Sequence, residues 1–157
     1  MTRLHRVFTG IAALMLGVML STWTSVQAQS ADLVTVQSGK DFEQTVETLR
    51  QLISKNDMMV MSEINQGKIL SMTGLQLNAT SLFVGNPNIG NKLFSADRGV
   101  GVTVPVRVNI YESTDGNTYI NYVKPSQQLA PFDNEQINKI GTMLDQNLNK
   151  MTSMLSK

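Results

Sequence analysis

Residues 100–111 read Val-Gly-Val-Thr-Val-Pro-Val-Arg-Val-Asn-Ile-Tyr, which is the strongest secondary-structure signal in residues 29–157. Valine or isoleucine occupies every even position from 100 to 110, and smaller or polar residues stand between them. A period of two places the apolar side chains on one face of a strand, so the stretch predicts one long strand with a buried face. Pro105 cannot donate to a neighbouring strand. We therefore expect it at a sheet edge, a strand start or a bulge.

The sequence after this stretch predicts its partner strand. Asp115-Gly116 is typical of a tight hairpin turn, and residues 118–123 supply a returning strand. Three earlier segments, 33–37, 58–64 and 81–84, are short and apolar or β-branched, which favours strands as well. The chain therefore predicts a mainly antiparallel sheet.

Helical periodicity appears on both sides of these strands. Apolar residues recur at helical spacing over 40–55, where Ser38 and Asp41 have the form of a capping box. Shorter helices are expected over 66–72, ending at Gly74, and over 89–96. The last helix is expected to begin with Asp133 and Gln136 as an N-cap pair. Its apolar stripe comprises Ile137, Ile140, Leu144, Leu148, Met151 and Leu155.

Such a stripe needs an apolar partner, and one face of the sheet can supply it. We therefore predict an α+β fold, a two-layer sandwich of a mainly antiparallel sheet packed on helices, in the order β-α-β-β-β-β-α with short extra helices. The chain has no internal repeat or linker-like stretch that would divide it. Residues 29–157 are thus expected to form a single domain.

The first 28 residues have the composition of a cleavable signal peptide. Two arginines and a histidine within the first six residues precede an apolar run of 14 residues, 7–20. Small or branched Val26 and Ala28 fit the positions before a signal-peptidase cut. The run is shorter than the roughly 20 apolar residues that span a bilayer. We expect cleavage after Ala28 and an exported product, periplasmic or secreted; a retained anchor is the alternative.

Cleavage would leave a chain without several common catalytic side chains. His5 and Trp23 are the only residues of their types, and there is no cysteine. The 13 Lys and Arg fall to 11 without Arg3 and Arg6, against 12 Asp and Glu. Residues 29–157 therefore lack the ligands of most zinc and thiol chemistry, and no basic stripe supports binding to nucleic acid or an anionic membrane. No cofactor and no stable membrane insertion are expected.

Several segments together resemble a known family. They are residues 35–36, 40–46 (Lys-Asp-Phe-Glu-Gln-Thr-Val), 83–87 (Phe-Val-Gly-Asn-Pro) with Gly90 and Leu93, and 104–108 (Val-Pro-Val-Arg-Val) before Asp115-Gly116. Over nearly all of residues 29–157 the chain resembles the family called domain of unknown function 302.

That resemblance implies a compact α+β fold related to the TATA-binding-protein-like β-α-β arrangement, and a homodimer. It implies no activity. Many members of the family have Asp-His where this chain has Asn65-Gln66. A metal or proton-transfer role of that histidine therefore does not carry over.

Two polar regions are candidate ligand sites. The segment 85–92 runs from a strand into a helix start, where backbone N–H groups can surround an anion, so Asn86, Asn91 and Lys92 are candidate ligand-binding residues. A tight turn is the structural alternative. Arg107 on the long strand could line a concave surface. A cross-strand ion pair or a dimer contact is the other use we expect for it.

Methionines suggest a second kind of site. Met59 and Met61, with Met58 beside them and Met151 and Met154 in the last helix, could hold Cu(I), for which thioethers are suitable soft ligands. Met59 and Met61 are expected on the same face of their strand. The alternative is that the methionines fill the core.

These observations favour a non-enzymatic exported module that binds a small ligand or a protein partner. The site would be the open sheet face or the groove between the sheet and the last helix, and an apolar pocket with a few polar groups would support it. Metal (copper) handling through methionine is the alternative. A carboxylate- or lysine-based enzyme is the third hypothesis, which Lys92 near a carboxylate in a cleft would favour. The carboxylates of Glu63, Glu112 and Asp115 are expected on solvated faces or in turns.

Overall fold

A five-stranded antiparallel sheet organises the protein. The computed structural model describes Leu33–Lys157, so the predicted signal peptide, 1–28, lies outside the described residues. The strands stand in the order β1-β5-β4-β3-β2. They are β1 (Leu33–Gln37), β2 (Met59–Ile64), β3 (Ala79–Gly85), β4 (Val106–Glu112) and β5 (Thr118–Val123).

Helices connect and cover these strands. Two are long, α1 (Phe42–Lys55) and α5 (Glu135–Ser153). Three are shorter, α2 (Gln66–Ser71), α3 (Pro87–Ala96) and α4 (Pro125–Leu129), and 3-10 turns cover Arg98–Val102 and Ala130–Phe132. Within Leu33–Lys157 no helix has both the length and the apolar character needed to cross a membrane.

The core lies between one face of the sheet and the two long helices. Alternate residues of the central strands, among them Leu82, Val108 and Ile120, are completely buried. The predicted stripe of α5 is buried against them, and α1 contributes Leu49 and Ile53. Each such side chain stabilises the fold by about 1.5–3 kcal/mol through burial. The predicted α+β two-layer sandwich is confirmed.

The long strand predicted over 100–110 is wrong in its first half. β4 begins at Val106, and the residues before Thr103 form a 3-10 turn. Val100 is 0% exposed, whereas Val102 is 85% exposed, so the two do not share a face. A Cβ atom at Gly101 would lie 3.2 Å from the ring of Phe94, so the chain passes close to that ring within the turn. Pro105 directly precedes β4, one of the three places expected for it.

Two predicted helix caps are shifted along the chain. Asp41 itself caps α1, accepting the Gln44 N–H at 2.8 Å, while the Ser38 hydroxyl is buried against that of Thr45. Asn134 caps α5, and Asp133 has a left-handed backbone with φ of 45°. A cap residue needs an extended backbone, and Asp41 and Asn134 have that conformation. These two residues therefore cap α1 and α5.

Candidate functional site

An apolar pocket opens where the end of β3, the start of β4 and the helix α3 meet. Its volume is about 150 Å³. Leu144 reaches it from α5, so the pocket lies in the groove between the sheet and the helices. The other side chains that shape its walls include Met58, Met61, Ile89, Leu93, Phe94 and Val106.

Two glycines and an inserted residue shape this pocket. A Cβ atom at Gly85 would lie 2.9 Å from the sulfur of Met61, so the end of the Met61 side chain lies directly against the backbone of this strand end. A Cβ atom at Gly90 on α3 would meet no atom within 4 Å, because open space lies beside it. In β2, Val60 and Ser62 pair with consecutive residues of β3. Met61 is therefore the extra residue of a bulge at the pocket.

The pocket wall contains no titratable side chain. Its one polar side chain is that of Asn86, which caps α3. The Asn86 Oδ1 accepts the N–H groups of Asn88 and Ile89 at 2.8 and 3.1 Å, and its Nδ2 donates to the Asp57 carbonyl at 2.6 Å. Because this side chain is already hydrogen-bonded, the pocket offers an apolar surface and no acid or base.

The other two polar residues predicted beside Asn86 lie elsewhere. Asn91 and Lys92 are exposed on α3 and do not line the pocket. Lys92 instead borders an open depression together with Glu135. The Glu135 carboxylate forms an ion pair with Lys139 at 2.7 Å, and both side chains are largely in water. Lys92 thus has a carboxylate nearby, but on a solvated surface where water screens their charges.

The methionines considered as copper ligands are divided among several environments. Met58 and Met61 line the pocket, and Met59 is exposed and does not. Met151 is buried in the core of the sandwich, and Met154 is exposed at the end of α5. The bulge at Met61 interrupts the alternation that placed Met59 and Met61 on one face. Nothing in the sequence indicated that Met58, rather than Met59, lines the pocket together with Met61.

The three carboxylates predicted to lie on the surface do so. Glu63 forms an ion pair with Arg50 and accepts the Thr80 hydroxyl at 3.2 Å. Hydrogen bonds from Asn117 hold the pKa of Asp115 below its ordinary value. Glu112, the third of these carboxylates, is exposed at the end of β4.

Within the described chain, no three His, Cys, Asp or Glu side chains cluster in a way that could hold a metal ion.

Arg107 lies on the face of the sheet opposite the core. The cross-strand ion pair expected for it is absent from the described residues, and its Nε instead donates to the Ser81 hydroxyl at 3.1 Å. Asn109 and Asn121 extend this polar surface to β5, joined by a hydrogen bond of 3.1 Å. The sequence pattern identified Arg107 but not the two asparagines. Polar residues are common on the solvent-facing side of a strand, so Asn109 and Asn121 did not stand out.

The fold and the pocket together define a small α+β domain with an apolar cavity in its sheet–helix groove. The chain belongs to the family described as domain of unknown function DUF302, whose family model matches residues 34–157. The resemblance found in the sequence is therefore confirmed.

A solved structure shares this fold. The crystal structure of an uncharacterized conserved DUF302 protein from Bacillus stearothermophilus superposes with a TM-score of 0.73. The match covers 78% of this chain and 97% of that one, at 19% sequence identity. At that identity the likeness concerns the fold alone.

Curated relatives match over part of their length. The proteins named fluoride-specific ion channel FluC 1 of Brucella suis biovar 1 and of Brucella abortus biovar 1 are each 28% identical to this chain over 95 residues. The match covers 60% of this chain and 37% and 35% of those proteins, respectively. The chain thus spans little more than a third of the length of the curated relatives it matches.

Proposed function

We propose that this domain is a non-enzymatic binding module that takes a small apolar ligand into the pocket beside α3. The observation that carries the proposal is an apolar cavity of about 150 Å³ whose wall has no titratable side chain. A dry cavity of about this size holds a molecule such as benzene. The ligand class is therefore a compact aromatic or branched aliphatic molecule.

The opening of the pocket supports entry of such a molecule. Met61 and Phe94 line it and remain 47% and 44% exposed, so both side chains can move without disturbing the core. Methionine is flexible and polarisable, and adapts to ligands of different shape. Burying about 150 Å² of a ring at about 25 cal/mol per Å² corresponds to a millimolar dissociation constant.

The methionine methyl groups provide a direct test with toluene as the probe. In the purified protein labelled with ¹³C at methionine methyls, toluene is expected to shift the signals of Met58 and Met61 saturably. The signals of Met151 and Met154, which lie away from the pocket, are expected to stay in place. Equal shifts at all four methionines, or no saturable shift, would contradict the proposal.

Gly90→Leu provides the matching variant. Its side chain would enter the open space beside Gly90, where a Cβ atom meets nothing within 4 Å. We expect toluene binding to weaken at least tenfold. Ser95→Leu is the control, because it adds the same side chain to the same helix at an exposed position that does not line the pocket. Equal toluene affinity of the two variants would show that toluene binds outside this pocket.

Cu(I) binding is the second candidate function, favoured by the joint presence of Met58 and Met61 in the pocket wall. Thioethers are soft ligands that suit Cu(I). The test is a Cu(I) titration against a competing chelator, with Met58→Leu and Met61→Leu. Loss of high-affinity Cu(I) in both variants would support this function, and unchanged affinity in either would end it for this pocket. A Met59→Leu control is expected to have no effect at this pocket.

We also propose that the domain works after export, with Gln29 as its first residue. The residues that support this are the two N-terminal arginines, the apolar run 7–20 and the Val26-x-Ala28 pattern. Native mass spectrometry of the protein from its own cell envelope tests the idea. A mass without residues 1–28 is expected, whereas the full-length mass would contradict cleavage. The same spectrum tests for a retained ligand and for the homodimer that the family resemblance implies.

A further inference from the structure

A second surface, which is polar, lies on the opposite side of the sheet from the apolar pocket. It is formed by Arg107 and Asn109 on β4 and by Asn121 on β5. The buried Ser81 on β3 is hydrogen-bonded to Arg107 and Asn109. We infer that this surface, the Arg107 site, binds a small carboxylate through the guanidinium of Arg107. This inference is independent of the function proposed for the pocket, since the two surfaces share no side chain.

A buried hydroxyl holds the arginine in place. Ser81 is 0% exposed, and its Oγ accepts hydrogen bonds from the Arg107 Nε and the Gln66 Nε2. It donates to the Asn109 Oδ1 at 3.3 Å. A hydroxyl has one donor and two acceptor positions, so Ser81 is fully used within the protein. The bond at Nε orients the guanidinium and leaves both of its Nη groups available.

Arg107 has no acidic partner within the described part of the chain. Elsewhere in that part, Arg50 forms ion pairs with Glu47 and Glu63, and Lys139 forms one with Glu135. The Arg107 side chain is exposed, so its charge faces solvent. A guanidinium with two free Nη groups is matched in geometry by a carboxylate, which accepts two parallel hydrogen bonds. The charge and the shape of this group thus favour a carboxylate.

The surroundings of Arg107 favour a short aliphatic acid. A cavity of about 270 Å³ joins the guanidinium to the amides of Asn109 and Asn121. The Asn121 Oδ1 accepts from Asn109, which leaves the Asn121 Nδ2 as a further donor. Leu33 and Val123, paired across β1 and β5, supply an apolar wall to the same cavity. A carboxylate with an aliphatic tail would contact both kinds of surface.

Sodium butyrate is the probe that tests this site. In ¹H–¹⁵N spectra recorded at constant ionic strength, butyrate is expected to shift the amides of Arg107, Asn121 and Val123 saturably, with a millimolar dissociation constant. Chloride, phosphate and fluoride serve as competing anions; fluoride is included because the curated relatives are named for it. An anion among these that shifts the same amides as tightly as butyrate would overturn the assignment to a carboxylate.

Two variants separate the contribution of the paired Nη donors of Arg107 from the contribution of its charge. Arg107→Gln is expected to weaken butyrate at least tenfold, and Arg107→Lys at least fivefold, because lysine keeps the charge but not the planar pair of donors. Arg98→Gln removes the same charge from an exposed turn outside the Arg107 site and is expected to leave affinity within twofold. Wild-type affinity in a folded Arg107→Gln variant would overturn the proposal, and folded Arg107→Lys provides the same test if the glutamine variant does not fold.

Two further probes distinguish the sources of a carboxylate. N-acetylalanine presents the carboxylate of a peptide end, and N-acetylalaninamide lacks it. Stronger binding of butyrate supports a free short-chain acid, and stronger binding of N-acetylalanine supports a peptide carboxy terminus. Equal binding of N-acetylalanine and its amide would contradict recognition of the carboxylate itself.

Discussion

The carboxylate of Asp145 on α5 accepts two hydrogen bonds from Ser126 on α4. One comes from the Ser126 backbone N–H at 3.0 Å and the other from its hydroxyl. This contact satisfies a backbone donor in the first turn of α4, whose N-terminus has no side-chain cap of its own. It joins the connection after β5 to the helix that covers the sheet.

We expect Asp145→Ala to lower the free energy of unfolding by about 1.5–3 kcal/mol, since it removes two charge-assisted hydrogen bonds. Urea denaturation measures the loss. Gln146→Ala, at an exposed position on the same helix, is the control and is expected to stay within about 0.5 kcal/mol of the parent. A similar cost in both variants would show that the Ser126 contact contributes nothing specific.

Two glycines in helices are expected to respond to alanine in opposite directions. At Gly141 a Cβ atom would lie 2.9 Å from the Cα of Ser126, so Gly141→Ala forces α4 and α5 apart. At Gly90 a Cβ atom meets nothing within 4 Å, and Gly90→Ala is expected to add about 0.5–1 kcal/mol through helix propensity. Thermal unfolding of both variants checks this. A gain in stability for Gly141→Ala would contradict the close approach of the two helices.

The pH dependence of stability above pH 10 is expected to depend on Tyr122. Burial raises the pKa of this phenol above its ordinary value of 10.0; the nearby Asp145 adds to the effect, and Thr152 and Lys124 oppose it. The folded state thus keeps a proton that the unfolded state loses. The stabilisation is fully present below pH 10 and is lost as the pH rises through the folded pKa.

Tyr122→Phe is expected to flatten this alkaline loss, as measured by urea denaturation at pH 9, 10 and 11. Tyr119 is the comparison, because its hydrogen bond to Asp115 also raises its pKa although it lies at the surface. The Tyr119→Phe variant is expected to retain most of the alkaline loss. The same pH profile in Tyr122→Phe and the parent protein would rule out the role of the buried phenol.

Leu144 links the pocket to the stability of the fold. It is buried on α5 and forms part of the pocket wall. We expect Leu144→Ala to cost about 2–5 kcal/mol and to enlarge the cavity. The enlarged pocket is expected to bind p-xylene more tightly relative to toluene than the parent does, as measured by the methionine methyl titration. Unchanged selectivity between the two ligands would place them outside this pocket.

Much of this architecture could be predicted from local patterns. The stripe of α5 and the β4–β5 hairpin depend on periodicity and turn chemistry, which a single sequence displays. α4 was not predicted, because its five residues carry no periodic pattern and its position depends on Asp145, 20 residues after it begins. The cap at Asn134 was missed because two adjacent residues are suitable by type, and only the backbone selects between them.

The candidate sites were less predictable than the fold. The pocket combines Met58 and Met61 with a helix and a strand that are distant in sequence, so no local motif marks it. The bulge at Met61 is a matter of strand register, which the sequence pattern did not display. Arg107 was identified from its position on the strand, but its partner Ser81 lies 26 residues earlier in the chain.

The alternation of side chains along β4 places neighbouring residues in different sites. Val106 lines the apolar pocket, and Arg107, the next residue, belongs to the Arg107 site on the other side of the sheet. A single peptide unit therefore connects the two surfaces. By thermodynamic linkage, any factor by which toluene changes the affinity for butyrate must equal the factor by which butyrate changes the affinity for toluene. The two titrations, each repeated in the presence of the other ligand, measure the free energy with which one strand couples its two faces.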